Sequence, residues 1–462
     1  MLEQRYSRPE FDPYGEAGAV DPGAAGEGWA APLASGPLAV RMTLPGSKSL
    51  TNRELVLAAL ADGPGLLRAP LRSRDTDLMA QGVNALGAAV TEVPGAGGFG
   101  PDWLVTPDEL FGGVNVDCGL AGTVMRFLPP VAALGRGPVV FDGDERARHR
   151  PMATIITALR ELGVDLDDNG TGRMPFTVHG SGSIAGGDLT IDASASSQFV
   201  SGLLLAAPRF ERGLRLRHSG ERLPSLPHIE MTIACLAARG VVVDSPEPGY
   251  WIVEPQPIRA IDIDIEPDLS NAAPFLGVAI VAGGSVTIDG WPSTTTQVGD
   301  SLRTLLPAFG ATVSLDGNSL TVDGGAGLAN GGSIPGVDLD LTLGGELAPT
   351  LVGLAALADG PSTIIGIGHL RGHETDRLAA LVADIETLGG TASELPDGLE
   401  IHPAPLTAGT WRAEADHRMA TTGALIGLAI PGVIVDDIGT TAKTLPEFPE
   451  LWAALVRSAP SA

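Results

Sequence analysis

Aromatic side chains are scarce in this chain: Phe, Tyr and Trp make up 4% of its 462 residues. Its cores must therefore be packed from aliphatic side chains, within an apolar fraction of 44%. Cysteine is scarcer still. Cys118 and Cys235 stand far apart in no metal-ligating spacing, so no disulfide scaffold is expected and a reducing cytoplasm is the expected compartment. Positive charge is also in short supply, with 29 Lys and Arg against 55 Asp and Glu, a formal net charge of −26. That balance argues against non-specific binding to nucleic acid or to an anionic membrane. Long apolar runs are missing; "PFLGVAIVAGGSV" is too short to span a bilayer. The opening stretch is rich in Gly, Pro, Ala and acids and has neither an apolar core nor a basic leader. A flexible tail over residues 1–36 is expected, not a signal peptide or membrane anchor.

Glycine, by contrast, is abundant at 62 residues, and its spacing carries information. A Gly that ends a helix and opens a β-rich run recurs at Gly63, Gly137, Gly213, Gly284, Gly360 and Gly432. The intervals are about 71 to 76 residues. A second phrase, a helix ending in Gly before a strand pair, interleaves at Gly87, Gly163, Gly240, Gly310 and Gly389. Two marks keeping one period imply six copies of one unit: helix, Gly cap, strand, helix, Gly cap, hairpin. Left-handed backbone is expected at each of these glycines. The proline-broken stretch "EPQPIRAIDIDIEP" falls between the third and fourth copies. Two lobes of three units follow, the first over residues 47–264 and the second over 37–46 plus 265–462. A solenoid is the weaker alternative, because solenoid repeats are usually about 20 to 45 residues long.

With cations so few, their placement matters. They collect in short polar stretches at strand–helix junctions: "LPGSKSLTNR" (Lys48, Arg53), "AGTVMRF" (Arg126), "ERARHRP" (Arg146, Arg148, Arg150), "HLRGHETDRL" (Arg371, Arg377), "DHRM" (Arg418) and "TTAKTLPEF" (Lys443). Junctions present helix N-terminal N–H groups to ligands. A cation at a helix start opposes the helix dipole unless an anion sits beside it. The first stretch is no Walker loop, since Ser47 stands where Gly must precede the Lys. Thr51 and Glu54 have capping-box spacing for its helix. Any single pair of these cations reads most simply as solvated surface charge; six clusters at matching places of a repeat do not. "SASSQF" sets Ser196, Ser197 and Gln198 before an apolar helix, which fits either an ordinary cap or a phosphate site. His369, His373 and Glu374 lack the HExxH order, so no metal site is expected.

Taken together, "LPGSKSLTNRELVLAALADG", "LAGTVMR", "ERARHRP", "SASSQF", "HETDRL", "DHRM" and "TAKTLPEF" occur in an order that closely resembles the 5-enolpyruvylshikimate-3-phosphate synthase family. The resemblance runs from about residue 37 to the end of the chain. It implies an α/β fold of two lobes, an inside-out α/β barrel of six βαβαββ repeats, with the active site in the cleft. The implied reaction moves the enolpyruvyl group of phosphoenolpyruvate to the 5-hydroxyl of shikimate 3-phosphate and releases phosphate, by addition and elimination through a tetrahedral intermediate. That step belongs to the shikimate pathway of aromatic amino-acid biosynthesis, and the family is a glyphosate target. No metal or organic cofactor is implied, and a monomer acting on two small molecules is expected.

Carried over motif by motif, Lys48, Ser49, Arg53, Ser196, Ser197, Gln198, Ser225, Glu346 and His373 are expected around shikimate 3-phosphate. Lys48, Gly122, Arg150, Gln198, Arg377, Arg418 and Lys443 are expected around phosphoenolpyruvate. The acid–base groups are Glu346 for the hydroxyl and Glu374 for the methylene carbon, with Lys48 able to share either duty. Two polyanions in one pocket of an acidic protein demand local cations, with Arg as a forked contact and Lys as a mobile charge.

The chain departs from the commonest family pattern in several places. Glu346 stands where Asp is frequent, His373 where Lys is, and Leu120 where Asn is. His228 replaces a common Tyr, His369 a common Asn and Phe127 a common Pro. His373 is expected to make shikimate 3-phosphate affinity depend on pH near neutrality. Gly122, lacking a side chain, is expected to leave room for glyphosate. Two rivals remain: the sister transferase acting on UDP-N-acetylglucosamine, and a non-catalytic paralogue. The first typically carries a reactive loop Cys, and Cys118 lies instead just ahead of "GLAGT". The second predicts damage to Lys48, Glu374, Arg418 or Lys443, all present.

Overall fold

All six glycine phrases open strands in the computed structural model, which describes residues 28–95 and 98–457. The strands are Gly65–Arg68, Arg136–Asp142, Leu214–His218, Gly284–Asp289, Ser362–Ile365 and Val433–Val435. Each pairs in parallel with one other strand: Ile263–Asp264, Val114–Asp117, Gly187–Ile191, Leu38–Met42, Asp338–Asp340 and Gly409–Trp411 respectively. Five also pair antiparallel with a hairpin, giving five four-stranded sheets of one topology. The sixth sheet has three strands, and its antiparallel edge is Trp29–Ala30.

That edge corrects the expected tail. Trp29 is buried, its strand pairs with Val435 and Ile434, and Ala31 donates a backbone bond to Val433. A large apolar side chain offers burial worth about 2 kcal/mol, enough to hold a short segment down. Residues 1–27 of that expectation lie outside the described residues.

Two separate hydrophobic cores result, one drawn from residues between Leu55 and Ile258, the other from Trp29–Leu44 and Leu269–Val456. Leu38–Met42 thus joins the later core, while Ile263–Asp264 closes a sheet of the earlier one. The chain passes between the halves twice, side by side. Ser47 N donates to the Glu266 carbonyl at 2.7 Å and Asp268 N to the Pro45 carbonyl at 2.9 Å.

Within each core the helices lie innermost. Every residue of Ala272–Ala282 and of Ala348–Ala356 is buried, as is nearly all of Gly122–Leu134 and Gln198–Ala206. A helix buried all round needs small residues where neighbours cross it. A Cβ on Gly202 would lie 2.2 Å from the Arg126 carbonyl oxygen, and one on Gly353 2.9 Å from Thr422. That is where much of the glycine goes, and why few aromatics are needed. The sheets face outward, so the fold is the inside-out α/β arrangement.

The glycines after the second phrase all have positive φ, from 79° at Gly240 to 124° at Gly87. Gly63 and Gly360 do not, because there the helix ends in an ordinary turn before the strand. The capping box is also corrected. The Lys48–Ala59 helix starts a turn earlier than Thr51, with Ser47 Oγ accepting from Leu50 N. Thr51 Oγ1 accepts instead from Leu71 N. Glu54 forms a fully buried pair with Arg239 at 2.7 Å, tying this helix to the end of Leu226–Ala238. Among the described residues no helix is long and apolar enough to cross a membrane.

Candidate active site

The helix starts of the first half are drawn together by one side chain. Arg53 is buried at 1% exposure and donates to Thr232 Oγ1 at 2.8 Å, to the Ser49 carbonyl at 2.9 Å and to the His228 carbonyl at 2.8 Å. It reaches Ser201 Oγ at 3.4 Å. Three helices, Lys48–Ala59, Gln198–Ala206 and Leu226–Ala238, therefore meet around one guanidinium. Asn52 adds a fourth through Thr123 Oγ1 at 2.6 Å, at the start of Gly122–Leu134. Burial pulls the Arg53 guanidinium down to about 10, opposed by the charges of Glu346 and Glu54. Arg53 was expected at the substrate; in this structure its Nε, Nη1 and Nη2 all donate to protein groups. The cause is local: Ser201 and Thr232 turn their hydroxyls toward it.

Four N-termini aimed at one place supply partial positive charge there. Lys48, at the first of them, reaches Asp75 at 3.4 Å, and its backbone N–H donates to Asp268 Oδ2 at 3.0 Å. Gly122 is packed under two cations and an amide. A Cβ there would lie 2.9 Å from Gln198 Oε1, 3.1 Å from Arg126 Nη1 and 3.3 Å from Arg150 Nη2. Gln198 Oε1 and the Nε atoms of Arg126 and Arg150 are buried without a hydrogen-bond partner. Burial, then the neighbouring charge of Arg150, lowers the Arg126 guanidinium well below its usual range. Buried guanidiniums with unspent donors and no carboxylate partner are suited chemically to an anion.

Ser196 Oγ accepts from Gln198 N at 3.2 Å, and Ser197 is buried at the helix start. Ser225 begins the next helix in left-handed conformation, φ 52°, and its hydroxyl makes no capping bond. The Ser197 and Ser225 hydroxyls stand at helix starts without a capping bond.

The second half contributes the opposite wall. Glu374 is buried between cations: its carboxylate accepts from the Lys443 ammonium and from Arg377 Nη2 at 3.2 Å. Arg377 is held in turn by Asp416 at 2.7 Å. Burial raises the Glu374 carboxyl, but Lys443, Arg377 and Arg150 outweigh it and hold the group well below the carboxylate range. Lys443 is lowered by burial and raised in part by Glu374. Arg150 comes from the first half and Glu374 from the second, so the two walls share one field. Asp416 also caps the helix that carries Arg418, accepting from Arg418 N at 2.9 Å.

Glu346 lies where the walls meet. Its Oε2 is 2.6 Å from His228 Nε2, and its Oε1 accepts from the Ser270 hydroxyl. Burial pushes its carboxyl up; His228, Arg418 and the Ser270 bond pull harder and keep it ionised. Lys48, Ser49, His228, Asp268, Ser270, Glu346 and Arg418 line one small pocket.

His373 changes an expectation. Its ring faces Arg377 Nη1 at 3.5 Å, and burial with the charges of Arg377 and Arg150 holds it well below the ordinary imidazole value. It is neutral near pH 7 in the free protein. Cation clusters also divide. Arg148 pairs with Asp142 and Arg371 with Glu394, both away from the cleft. Arg146 bridges the halves by donating to the Glu414 carbonyl.

Some site residues escaped the reading of the sequence. Asp268 and Ser270 sit in "PDLSN", a plain loop signal, and only the fold brings it under Lys48 and Glu346. His417 is buried beside Arg418, Lys48 and Lys443, which with burial hold it neutral.

Comparison with known proteins agrees with this geometry. Residues 33–452 match the family described as EPSP synthase (3-phosphoshikimate 1-carboxyvinyltransferase). A curated 3-phosphoshikimate 1-carboxyvinyltransferase of Kocuria rhizophila is 54% identical over 436 residues, 93% of this chain and 97% of its own. Among solved structures, EPSP synthase of Acinetobacter baumannii superposes with a TM-score of 0.73 at 22% identity, over 92% of this chain and 97% of that one. The enolpyruvyl transferase NikO of Streptomyces tendae gives 0.70 at 17% identity, over 92% and 96%. Those two likenesses speak to the fold. The matched residues and the Kocuria relative speak to more: this chain belongs to the EPSP synthase family.

Proposed function

We propose that the cleft binds shikimate 3-phosphate and phosphoenolpyruvate side by side. The chain moves the enolpyruvyl group to the 5-hydroxyl and releases phosphate, as a 3-phosphoshikimate 1-carboxyvinyltransferase of the shikimate pathway. The observation that carries the site assignment is the convergence of Lys48, Arg150, Arg377, Arg418 and Lys443 from both halves of an acidic protein. Two polyanions need such a field, and little else does. Residues 47–264 form one lobe and residues 37–46 with 265–457, joined by the Trp29–Ala30 strand, the other, and no metal, organic cofactor or second chain is called on.

Shikimate 3-phosphate sits toward Lys48, Ser49, Ser196, Ser197, Gln198 and Ser225, with its ring hydroxyls near Glu346 and His373. Arg53 supports it by fixing Ser49 and His228. Phosphoenolpyruvate sits toward Gly122, Arg150, Gln198, Arg377, Arg418 and Lys443. Glu346, already ionised, is the base for the 5-hydroxyl. Glu374 serves the methylene carbon, but an ion-paired carboxylate is a poor acid. An arriving anion competes for Lys443 and Arg377 and repels the carboxylate, so its affinity for a proton rises with substrate bound. Glu374 thus becomes the acid when it is needed.

Steady-state kinetics of single variants tests the division. Arg418→Met and Lys443→Met should raise the phosphoenolpyruvate KM at least about tenfold, with shikimate 3-phosphate affinity within about threefold. Ser197→Ala and Ser225→Ala should do the reverse. Both constants moving together in every variant would overturn the assignment.

A further inference from the structure

The contact between His228 and Glu346 stands outside the roles above. The imidazole Nε2 lies 2.6 Å from one carboxylate oxygen, so the ring's N–H donates to it. The other oxygen takes the Ser270 hydroxyl. A carboxylate held at both oxygens has one orientation. The two donors come from different elements: His228 from the helix Leu226–Ala238, Ser270 from the loop before Ala272–Ala282.

His228 is itself firmly placed. Its carbonyl accepts from Arg53 Nη2 at 2.8 Å, from Thr232 Oγ1 at 2.9 Å and from Ser201 Oγ at 3.4 Å, and its N–H donates to the Ser225 carbonyl at 3.0 Å. Three donors on one carbonyl are more than a helix interior needs. They fix the Cα from which the ring projects across the cleft. The ring is 17% exposed and lines the same pocket as Lys48, Ser49 and Arg418. It therefore reaches Glu346 without filling the space between Glu346 and the first wall.

We propose that His228 is a positioning residue for Glu346. It holds Oε2, so that Oε1, which now carries the exchangeable Ser270 hydroxyl, is the oxygen presented to the substrate hydroxyl. The bond spans the two halves, so the base is aimed when the halves stand together as they do here. The buried Arg53 then acts on the chemistry through the His228 carbonyl. This inference rests on Glu346 being the base.

The test uses the full-length enzyme with His228→Gln, which keeps an N–H donor, and His228→Met, which fills the space without one. Glu346→Gln is measured beside them. H228M should lose about 10- to 100-fold in kcat, because a misdirected group loses rate steeply, while both KM values stay within about threefold. H228Q should recover kcat to within about fivefold of wild type. A purely structural role would move both variants alike and would appear in the melting temperature. Wild-type kcat in H228M, or equal loss in H228Q and H228M, overturns the proposal. If Glu346→Gln keeps full activity, the base assignment falls first; if it is inactive while H228M is unimpaired, only the His228 role falls.

Discussion

The carboxylate of Glu374 is ion-paired with the Lys443 ammonium inside the protein, and both side chains are almost fully buried. Burial of such a pair is tolerable because each charge cancels the other. Phosphoenolpyruvate must break it to reach Lys443. The carboxylate, held well below its ordinary range in the free protein, then loses the charges that hold it there, and its affinity for a proton rises. A proton should be taken up as the substrate binds.

Calorimetry on Glu346→Gln protein, saturated with shikimate 3-phosphate so that turnover is blocked, measures this directly. Titration of phosphoenolpyruvate near pH 7.5 in two buffers of different ionisation enthalpy should report net uptake of a substantial fraction of a proton. The uptake should vanish when Glu374→Gln is added. No uptake in the first protein would contradict the switch.

Gly122 leaves little clearance in the proposed phosphoenolpyruvate site. A methyl group there meets Gln198, Arg126 and Arg150 at 2.9 to 3.3 Å, tighter than ordinary contact. Gln198 and the arginines must give way. Gly122→Ala should raise the inhibition constant of glyphosate, the longer anion, by a larger factor than the KM of phosphoenolpyruvate. Equal factors would mean that the crowding does not discriminate between them.

Arg222 and Asp397 bridge the halves far from the chemistry, 2.7 Å apart. Asp397 also accepts from Gly368 N at 2.9 Å, at the base of the segment that carries His373 and Glu374. Arg222 is 76% exposed, so the pair is worth about 0.2–1 kcal/mol and is screened by salt. Arg222→Ala should leave the melting temperature unchanged and raise both KM values about two- to fivefold at low salt. The difference from wild type should shrink at high ionic strength.

Asp384 is buried on the Arg377–Thr387 helix. Its Oδ1 has no partner and its Oδ2 accepts only from Arg412 N at 3.3 Å. Burial pushes its carboxyl up to about 7, with Glu414 and Asp436 adding to the rise. A raised carboxyl binds more protons folded than unfolded, where it titrates near about 4. Its penalty is therefore absent below about pH 4, grows between pH 4 and 7, and is complete above. Asp384→Asn should be more stable than wild type at pH 8 by on the order of 1–3 kcal/mol, with the gap closing toward pH 5. Chemical denaturation at the two pH values reads it.

Much of this was legible in the sequence, because glycine period and cation placement are local signals. The six strands begin where the glycines said they would, and Lys48, Arg150, Arg377, Arg418 and Lys443 lie close enough to act on shared buried groups. What escaped depends on long-range contact. Nothing in "LTNR" says that Arg53 will find Ser201 and Thr232. The neutrality of His373 comes from burial and then from the charges of Arg377 and Arg150, the latter more than 200 positions away. Trp29 was hidden by the composition around it, which is that of a tail, although one large side chain suffices to dock a short strand.

The central claim is enolpyruvyl transfer in the cleft between the two halves. Phosphate release from the purified chain mixed with shikimate 3-phosphate and phosphoenolpyruvate tests it most directly. One phosphate per shikimate 3-phosphate consumed, none when UDP-N-acetylglucosamine replaces it, and a loss of at least about a hundredfold in Glu346→Gln are the predicted results. Release with UDP-N-acetylglucosamine alone as acceptor, or binding of both substrates without any phosphate, would contradict the account.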